Sequence, residues 1–235
     1  MSNSPLTDAQ VLAAWHVNAD PWSVAVRDGQ IESRRLVTDG AVLAAVERCS
    51  PRTALDIGCG EGWLSRAMAQ RGIRVTGVDA VPALVEAARS ADAAGDYRVL
   101  TYEALASGAM DGSREDSPSA PFDLAVANFS LIGGEAVDAL VRHVPALLVP
   151  RGTLIIQTLH PATERGEHPY VDGWREGSWA GFSRDFRDPP PWYYRTMGSW
   201  IRLLVRSGFQ VQDVVEPLHP VTGNPASVLF VAARA

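Results

Sequence analysis

From residue 50 to 158 the chain repeats one alternation: a short apolar run, a turn, then a longer stretch with apolar positions three and four apart. Short apolar runs bounded by turn residues predict buried strands, and the longer periodic stretches predict amphipathic helices. The pattern places strands near 53–57, 73–78, 97–101, 122–127 and 152–158, with helices near 62–71, 82–91, 103–109 and 136–147. Val137, Leu140, Val141, Val144 and Leu148 make one stripe at helical spacing, Pro82 suits a first helical turn, and Gly72 suits a C-terminal cap. Strands alternating with crossover helices imply a parallel sheet. Residues 6–48, ahead of the first strand, read as two helices, with Trp15 and Trp22 as lid candidates. The polar, proline-bearing stretch 111–121 reads as a solvated connection.

After the fifth strand the periodicity stops. Residues 160–195 are rich in glycine, proline and aromatics, and half of the chain's aromatic residues lie between Tyr170 and Trp200. A long irregular segment in a compact domain is usually functional or disordered, and this aromatic content argues against disorder. A helix near 196–207 ends at Gly208, and strands near 209–216 and 227–233 follow. The whole reads as one α/β domain over 1–235: a helical cap at 1–48, a ligand-binding core at 50–158, a substrate lid at 160–195, and a closing helix and strand pair at 196–235.

Composition narrows the chemistry. A chain of 235 residues with 46% hydrophobic content can build a substantial core. The net charge is −6 and no basic run stands out, which argues against nucleic acid as a partner. All 21 basic residues are arginine, so a Schiff-base lysine and a phosphate-loop Gly-Lys-Ser/Thr are both excluded. No apolar stretch reaches membrane-spanning length and Met1-Ser-Asn-Ser-Pro has no signal-peptide character, so the expectation is a cytoplasmic protein that acts without a membrane. Cys49 and Cys59 are too few for a disulfide framework, and no Cys/His spacing suggests a metal.

The sharpest local signal is Ala54-Leu-Asp-Ile-Gly-Cys-Gly-Glu-Gly62, a buried-strand pattern running into three glycines. About twenty residues on, Val75-Thr-Gly-Val-Asp79 repeats the strand pattern and ends in an acid. A glycine-rich strand-to-helix turn followed by such an acid is how an α/β sheet holds a nucleoside. A dinucleotide would set its pyrophosphate on the next helix N-terminus, but Glu61 stands there and Asp56 precedes the turn. Two carboxylates suit a ligand carrying an ammonium and a sulfonium and no phosphate, which is S-adenosylmethionine.

Asp56-Ile-Gly-Cys-Gly-Glu-Gly resembles the first motif of the class I S-adenosylmethionine-dependent methyltransferases, and Val78-Asp79 their ribose-binding acid. Pro121-Phe-Asp-Leu-Ala-Val-Ala-Asn128 is similar to the family's fourth-strand motif, and Leu148-Val-Pro-Arg-Gly-Thr-Leu-Ile-Ile-Gln157 to its turn and fifth strand. Within the family the chain is most similar to the small-molecule branch that includes ubiquinone-type O-methyltransferases. The resemblance implies a Rossmann-like, doubly wound, seven-stranded, mostly parallel sheet with an antiparallel last strand and helices on both faces. It implies methyl transfer to a small-molecule acceptor by a monomer or homodimer.

The cofactor would then meet Asp56, Gly58, Cys59 and Gly60 at the turn, Asp79 and Ala80 after the second strand, and Asn128 and Phe129 after the fourth. Cys59 lacks a His or Cys partner and reads as a small turn residue rather than a nucleophile. Tyr102 and Glu103 are candidates for the adenine side, and Arg34 and Arg35 for the methionine carboxylate or a solvated helix face. His160, just past the fifth strand, is the candidate base or a loop histidine bonded to backbone. Trp174, Trp192 and Tyr194 are candidate walls of an acceptor pocket or a satellite core, and Arg195 grips an acceptor carboxylate or pairs with Asp185 or Asp188. A sulfonium is already activated, so no metal is expected. Two rival functions are a nicotinamide-dependent oxidoreductase and a catalytically silent S-adenosylmethionine-binding module.

Overall fold

The computed structural model describes residues 5–110 and 121–235, so the connection expected at 111–121 lies outside the described residues except for Pro121. Five strands alternate with helices: β1 (Thr53–Ile57), β2 (Arg74–Asp79), β3 (Asp96–Val99), β4 (Phe122–Asn128) and β5 (Leu148–Thr158), with α3 (Trp63–Ala69), α4 (Pro82–Ala91), α5 (Tyr102–Ala106) and α6 (Glu135–Leu147) between them. Ahead of them run α1 (Asp8–Arg27), a π-helical turn at Arg34–Thr38, and α2 (Asp39–Cys49). After β5 come a hairpin of β6 (Gly173–Arg175) and β7 (Trp192–Tyr194), helix α7 (Met197–Arg206), and strands β8 (Phe209–Val215) and β9 (Val228–Arg234).

The main sheet has seven strands in the order β3-β2-β1-β4-β5-β9-β8. The first five are mutually parallel, and β9 runs antiparallel between β5 and β8. Side-chain alternation splits the core into two layers, as a sheet covered on both faces requires. Leu55, Ile57, Ala125, Ile156 and Phe230 face a layer closed by α6 and α7, whereas Ala54, Leu124, Val126, Ile155 and Leu229 face Val42 and Val46 of α2 and Leu64 and Met68 of α3. The chain runs outward from β1 through β2 to β3 and then returns to β4 on the other side, so the strand order reverses between β1 and β4. Ligands of such sheets bind in the crevice at that reversal, beyond the carboxyl ends of the strands.

Three details depart from the sequence pattern. Leu148, expected on the helical stripe, instead opens β5, which starts four residues earlier than expected. The segment expected to be irregular contains the β6–β7 pair, three residues a side with Trp174 opposite Tyr193. Strands this short carry too few positions for a period to register. The helix expected at 103–109 is a single turn, α5, capped by Thr101, whose hydroxyl accepts from Ala104 N at 3.1 Å.

Candidate functional site

Gly58, Gly60 and Gly62 all have left-handed backbones, at φ 71°, 57° and 83°. Their constraints differ. A Cβ on Gly58 would stand 2.3 Å from the Cβ of Ser130 and 3.1 Å from the Tyr102 hydroxyl, so the loop after β4 crowds it. A Cβ on Gly62 would meet Ala88 and Tyr97 at 2.9 Å, which makes this glycine a matter of packing α3 against α4 and β3. Over Gly60, among the described residues, there is only the Trp22 indole nitrogen within 4 Å, 3.8 Å from where a Cβ would stand. The amides of Gly58 and Cys59 both donate to Val78 O, at 2.8 and 3.0 Å, tying the turn to β2.

Asp79 continues that tie. One carboxylate oxygen accepts from Gly60 N and the other from Val81 N, both at 2.9 Å. The acid therefore fixes the glycine turn and the start of α4 together. Each oxygen keeps acceptor capacity for a further donor. Burial pushes the Asp79 carboxyl up, while bonds from the amides of Val81, Gly60 and Ala80, with His16 nearby, pull it down.

Asp56 is buried at the end of a fully buried strand and accepts from Ser65 Oγ at 2.7 Å. Burial lifts its carboxyl to about 7; the Ser65 bond opposes the rise, and Asp79 and Glu61 add to it. Glu61 is also buried, but it is not a free charge: Arg66 binds its Oε2 and its backbone oxygen, both at 2.5 Å. Its Oε1 is buried without a hydrogen-bond partner among the described residues. Cys59 is buried, and burial, with Asp56 and Asp79 beside it, pushes its thiol well above the usual range, which fits an inert turn residue.

At the end of β4, Asn128 Oδ1 is a second buried acceptor without a partner among the described residues, and Phe129 holds a strained left-handed backbone at φ 54°. Ser130 Oγ donates to Ile57 O at 2.6 Å, and the Tyr102 hydroxyl donates to Ser130 O at 2.9 Å. Tyr102 therefore belongs to the crevice wall, while Glu103 beside it is exposed. Ala80 is half-buried next to Asp79. Arg34 is buried, pairs with Asp39 at 3.0 Å and lies 4.7 Å over the Trp63 ring at the start of α3. Arg35 is exposed and turned the other way, against Gly29.

Beyond the turn the structure reassigns several side chains. His160 is buried with both ring nitrogens engaged: Nδ1 accepts from Ala162 N at 3.2 Å and Nε2 faces Glu216 Oε1 at 2.6 Å. Neither nitrogen is left to take a proton from an acceptor. Arg195 donates to Gly133 O, Gly134 O and Asp138 Oδ1, so its guanidinium anchors the loop before α6 and its ion-pair partner is Asp138, not Asp185 or Asp188. Tyr194 is buried and donates to Pro161 O at 2.6 Å. Trp174 packs edge-on against Tyr193 beside Gly134, and half-buried Trp192 lines a small cavity with Leu131, Ile132 and Glu164.

Helix α1 lies across this edge of the sheet. Asp8 accepts from Gly134 N and Ala136 N at the start of α6, and Ala19 packs on Val81 and Leu84. Asn18 donates to Arg187 O at 2.7 Å and accepts from Arg187 N at 2.9 Å. Trp15, Trp22, Trp179, Phe182 and Phe186 interlock around that junction. Ser65, Asn18 and Asp8 carried no local signal: Asn18 and Asp8 act through partners more than a hundred residues away, and Ser65 meets Asp56 across the glycine turn only once the turn has folded. A group of His, Cys, Asp and Glu able to hold a metal is absent among the described residues.

A family model described as a methyltransferase domain matches residues 32–214. A ubiquinone biosynthesis O-methyltransferase of Xanthomonas axonopodis pv. citri (strain 306) is 34% identical over 206 residues, covering 79% of this chain and 73% of that protein. The corresponding protein of Xanthomonas campestris pv. campestris (strain B100) is 37% identical over 110 residues, 45% of this chain, and the aligned part is 42% of that protein's length. An S-adenosylmethionine-dependent methyltransferase from Mesorhizobium loti superposes with a TM-score of 0.56 at 26% identity, over 78% of this chain and 91% of the other. The 1,6-didemethyltoxoflavin-N1-methyltransferase of Burkholderia thailandensis, solved with its substrate and S-adenosylhomocysteine, gives 0.64 over 99% of this chain and 93% of the other. At 18% identity that likeness speaks for the fold alone.

Proposed function

The chain belongs to the S-adenosylmethionine-dependent methyltransferases, and on that premise we propose that it moves a methyl group from S-adenosylmethionine to a small-molecule acceptor. The observation that carries the reading is Asp79: a carboxylate held by Gly60 N and Val81 N, with acceptor capacity left for two ribose hydroxyls. Gly58, Cys59 and Gly60 line the turn, Asp56 and the unpartnered Glu61 Oε1 receive the ammonium, and Ala80 and Tyr102 flank the adenine. Arg34, held on Trp63, faces the carboxylate, and Asn128 Oδ1 with Phe129 borders the methyl group. A pyrophosphate is disfavoured here, because Asp56 and Asp79 surround the turn and Arg66 is paired with Glu61.

The cofactor supplies a methyl group on an already activated leaving group. The protein's part is alignment and exclusion of water, which the roof of α1 and the 176–188 arm serves. With His160 engaged on both sides, no base is assigned, and the reading favours an acceptor that needs none or brings its own. The acceptor enters beside Trp174 and Trp192. The whole chain acts as one cytoplasmic domain, as a monomer or homodimer, without nucleic acid; among the described residues no helix is long and apolar enough to cross a membrane.

Calorimetry tests this directly. S-adenosylmethionine and S-adenosylhomocysteine should bind and NAD should not, and Asp79→Ala should weaken binding by about ten- to a hundredfold through lost charge-assisted bonds. Tighter binding of NAD would end the reading. Transfer of a labelled methyl group in an acceptor screen separates an enzyme from a silent binding module.

A further inference from the structure

Trp22 is in the third quarter of α1, one residue after Pro21, and is held from three sides. Its ring meets Trp15 edge-on at 5.1 Å and stacks with Phe182 at 6.4 Å and 29°, while the helix beneath it is seated by Ala19 on Val81 and Leu84. The orientation turns the indole nitrogen toward Gly60, the one glycine of the turn whose Cβ direction is otherwise open. No hydrogen bond among the described residues uses that N–H. It is an unused donor held beside the glycine turn, where the cofactor would lie.

The chemistry of that space calls for a donor. Asp79, whose carboxylate is bonded to Gly60 N itself, is acceptor-only when ionised. Ribose hydroxyls that donate to it still present oxygen lone pairs, and enclosing them under α1 without a partner would carry a desolvation penalty. We propose that the Trp22 indole N–H donates to a ribose hydroxyl oxygen of the bound cofactor, making Trp22 a cofactor-binding residue rather than part of a passive aromatic cluster. This rests on the cofactor reading above. It also makes the cofactor a contact of the roof, since the same ring stacks on Phe182 of the arm that Asn18 latches.

The test uses S-adenosylhomocysteine as the probe and needs no acceptor. In the full chain labelled with ¹⁵N-tryptophan, the Trp22 indole cross-peak is identified by its loss in Trp22→Phe. On titration it should move and its solvent exchange should slow, while the peak of Trp200, buried under β9, stays in place. By calorimetry Trp22→Phe, which keeps a stacking ring but no donor, should weaken binding about three- to tenfold. An analogue lacking both ribose hydroxyls should bind the wild type and Trp22→Phe equally, because the bond in question is then absent from both; a merely structural role would keep the difference. If the wild type binds S-adenosylhomocysteine while the Trp22 peak stays fixed and Trp22→Phe binds as tightly, the assignment is overturned and the cofactor reading stands. If the wild type does not bind it at all, both fall.

Discussion

At the scale of single residues, Asp56 is the group whose environment has a measurable consequence. Ser65 Oγ donates to it, Asp79 and Glu61 face it from β2 and the start of α3, and Arg66 is turned away onto Glu61. Burial is the largest cause of its rise to about 7, against roughly 3.9 for an exposed aspartate. The folded state therefore holds a proton that the unfolded chain has lost. The stability this gives is complete below the unfolded value and declines as pH climbs toward and through 7. Thermal unfolding without ligand should accordingly shift to lower temperature between about pH 5 and pH 8. Asp56→Asn, which still accepts from Ser65, should flatten that slope. An unchanged slope in the variant would mean that other groups carry it. Affinity for a cationic ligand should run the opposite way, weakening as pH falls below 7 and Asp56 takes up its proton.

At the scale of elements, the interest lies in how α1 and the 176–188 arm hold each other. The sequence led to the expectation of a substrate lid over 160–195. In the structure this segment is tied to α1: Asn18 bonds Arg187 through both ends of its amide and also donates to Ala14 O at 2.8 Å. Trp179 Nε1 donates to the same Arg187 O at 2.9 Å. Gly177 packs closely on Pro190, since a Cβ there would stand 1.9 Å from Pro190 O. Asn18→Ala removes the partner of Arg187 N and one of the two donors to Arg187 O at a part-buried junction, so a loss of about 0.5–1.5 kcal/mol is expected. Hydrogen exchange at residues 176–188 should quicken in this variant and slow in the wild type when S-adenosylhomocysteine binds. Exchange untouched by either change would make the arm a static part of the core.

At the scale of the whole molecule, the turn, the roof and the end of β4 come from separate parts of the chain and meet only in the folded state. A ligand held by all three binds the native protein and not the unfolded chain. At a hundred times its dissociation constant it should add about 2.7 kcal/mol. For a chain of this length that corresponds to a rise in melting temperature of roughly 5–10 °C, readable by calorimetry with S-adenosylhomocysteine. A rise of that size with NAD in its place would contradict the proposed function.

The order of strands and helices along the chain and the glycine turn with its distant acid were legible in the sequence, because each follows from local rules. Side-chain alternation, apolar spacing and the positive φ of Gly58, Gly60 and Gly62 are properties of a few neighbouring residues. His160, Tyr194 and Arg195 stand where a ligand-binding sheet edge was expected, yet Glu216, Pro161, Gly133 and Asp138 engage their polar atoms. Whether a polar side chain faces a ligand or a neighbour depends on which groups the fold brings within hydrogen-bonding distance. Those partners lie up to 62 residues away in these cases, and no local pattern encodes them. The same holds for Asn18, which meets Arg187 across 169 residues, and for Trp22 over Gly60. Local chemistry specified the elements and the turn; only their packing decided which side chains remain free to meet a ligand.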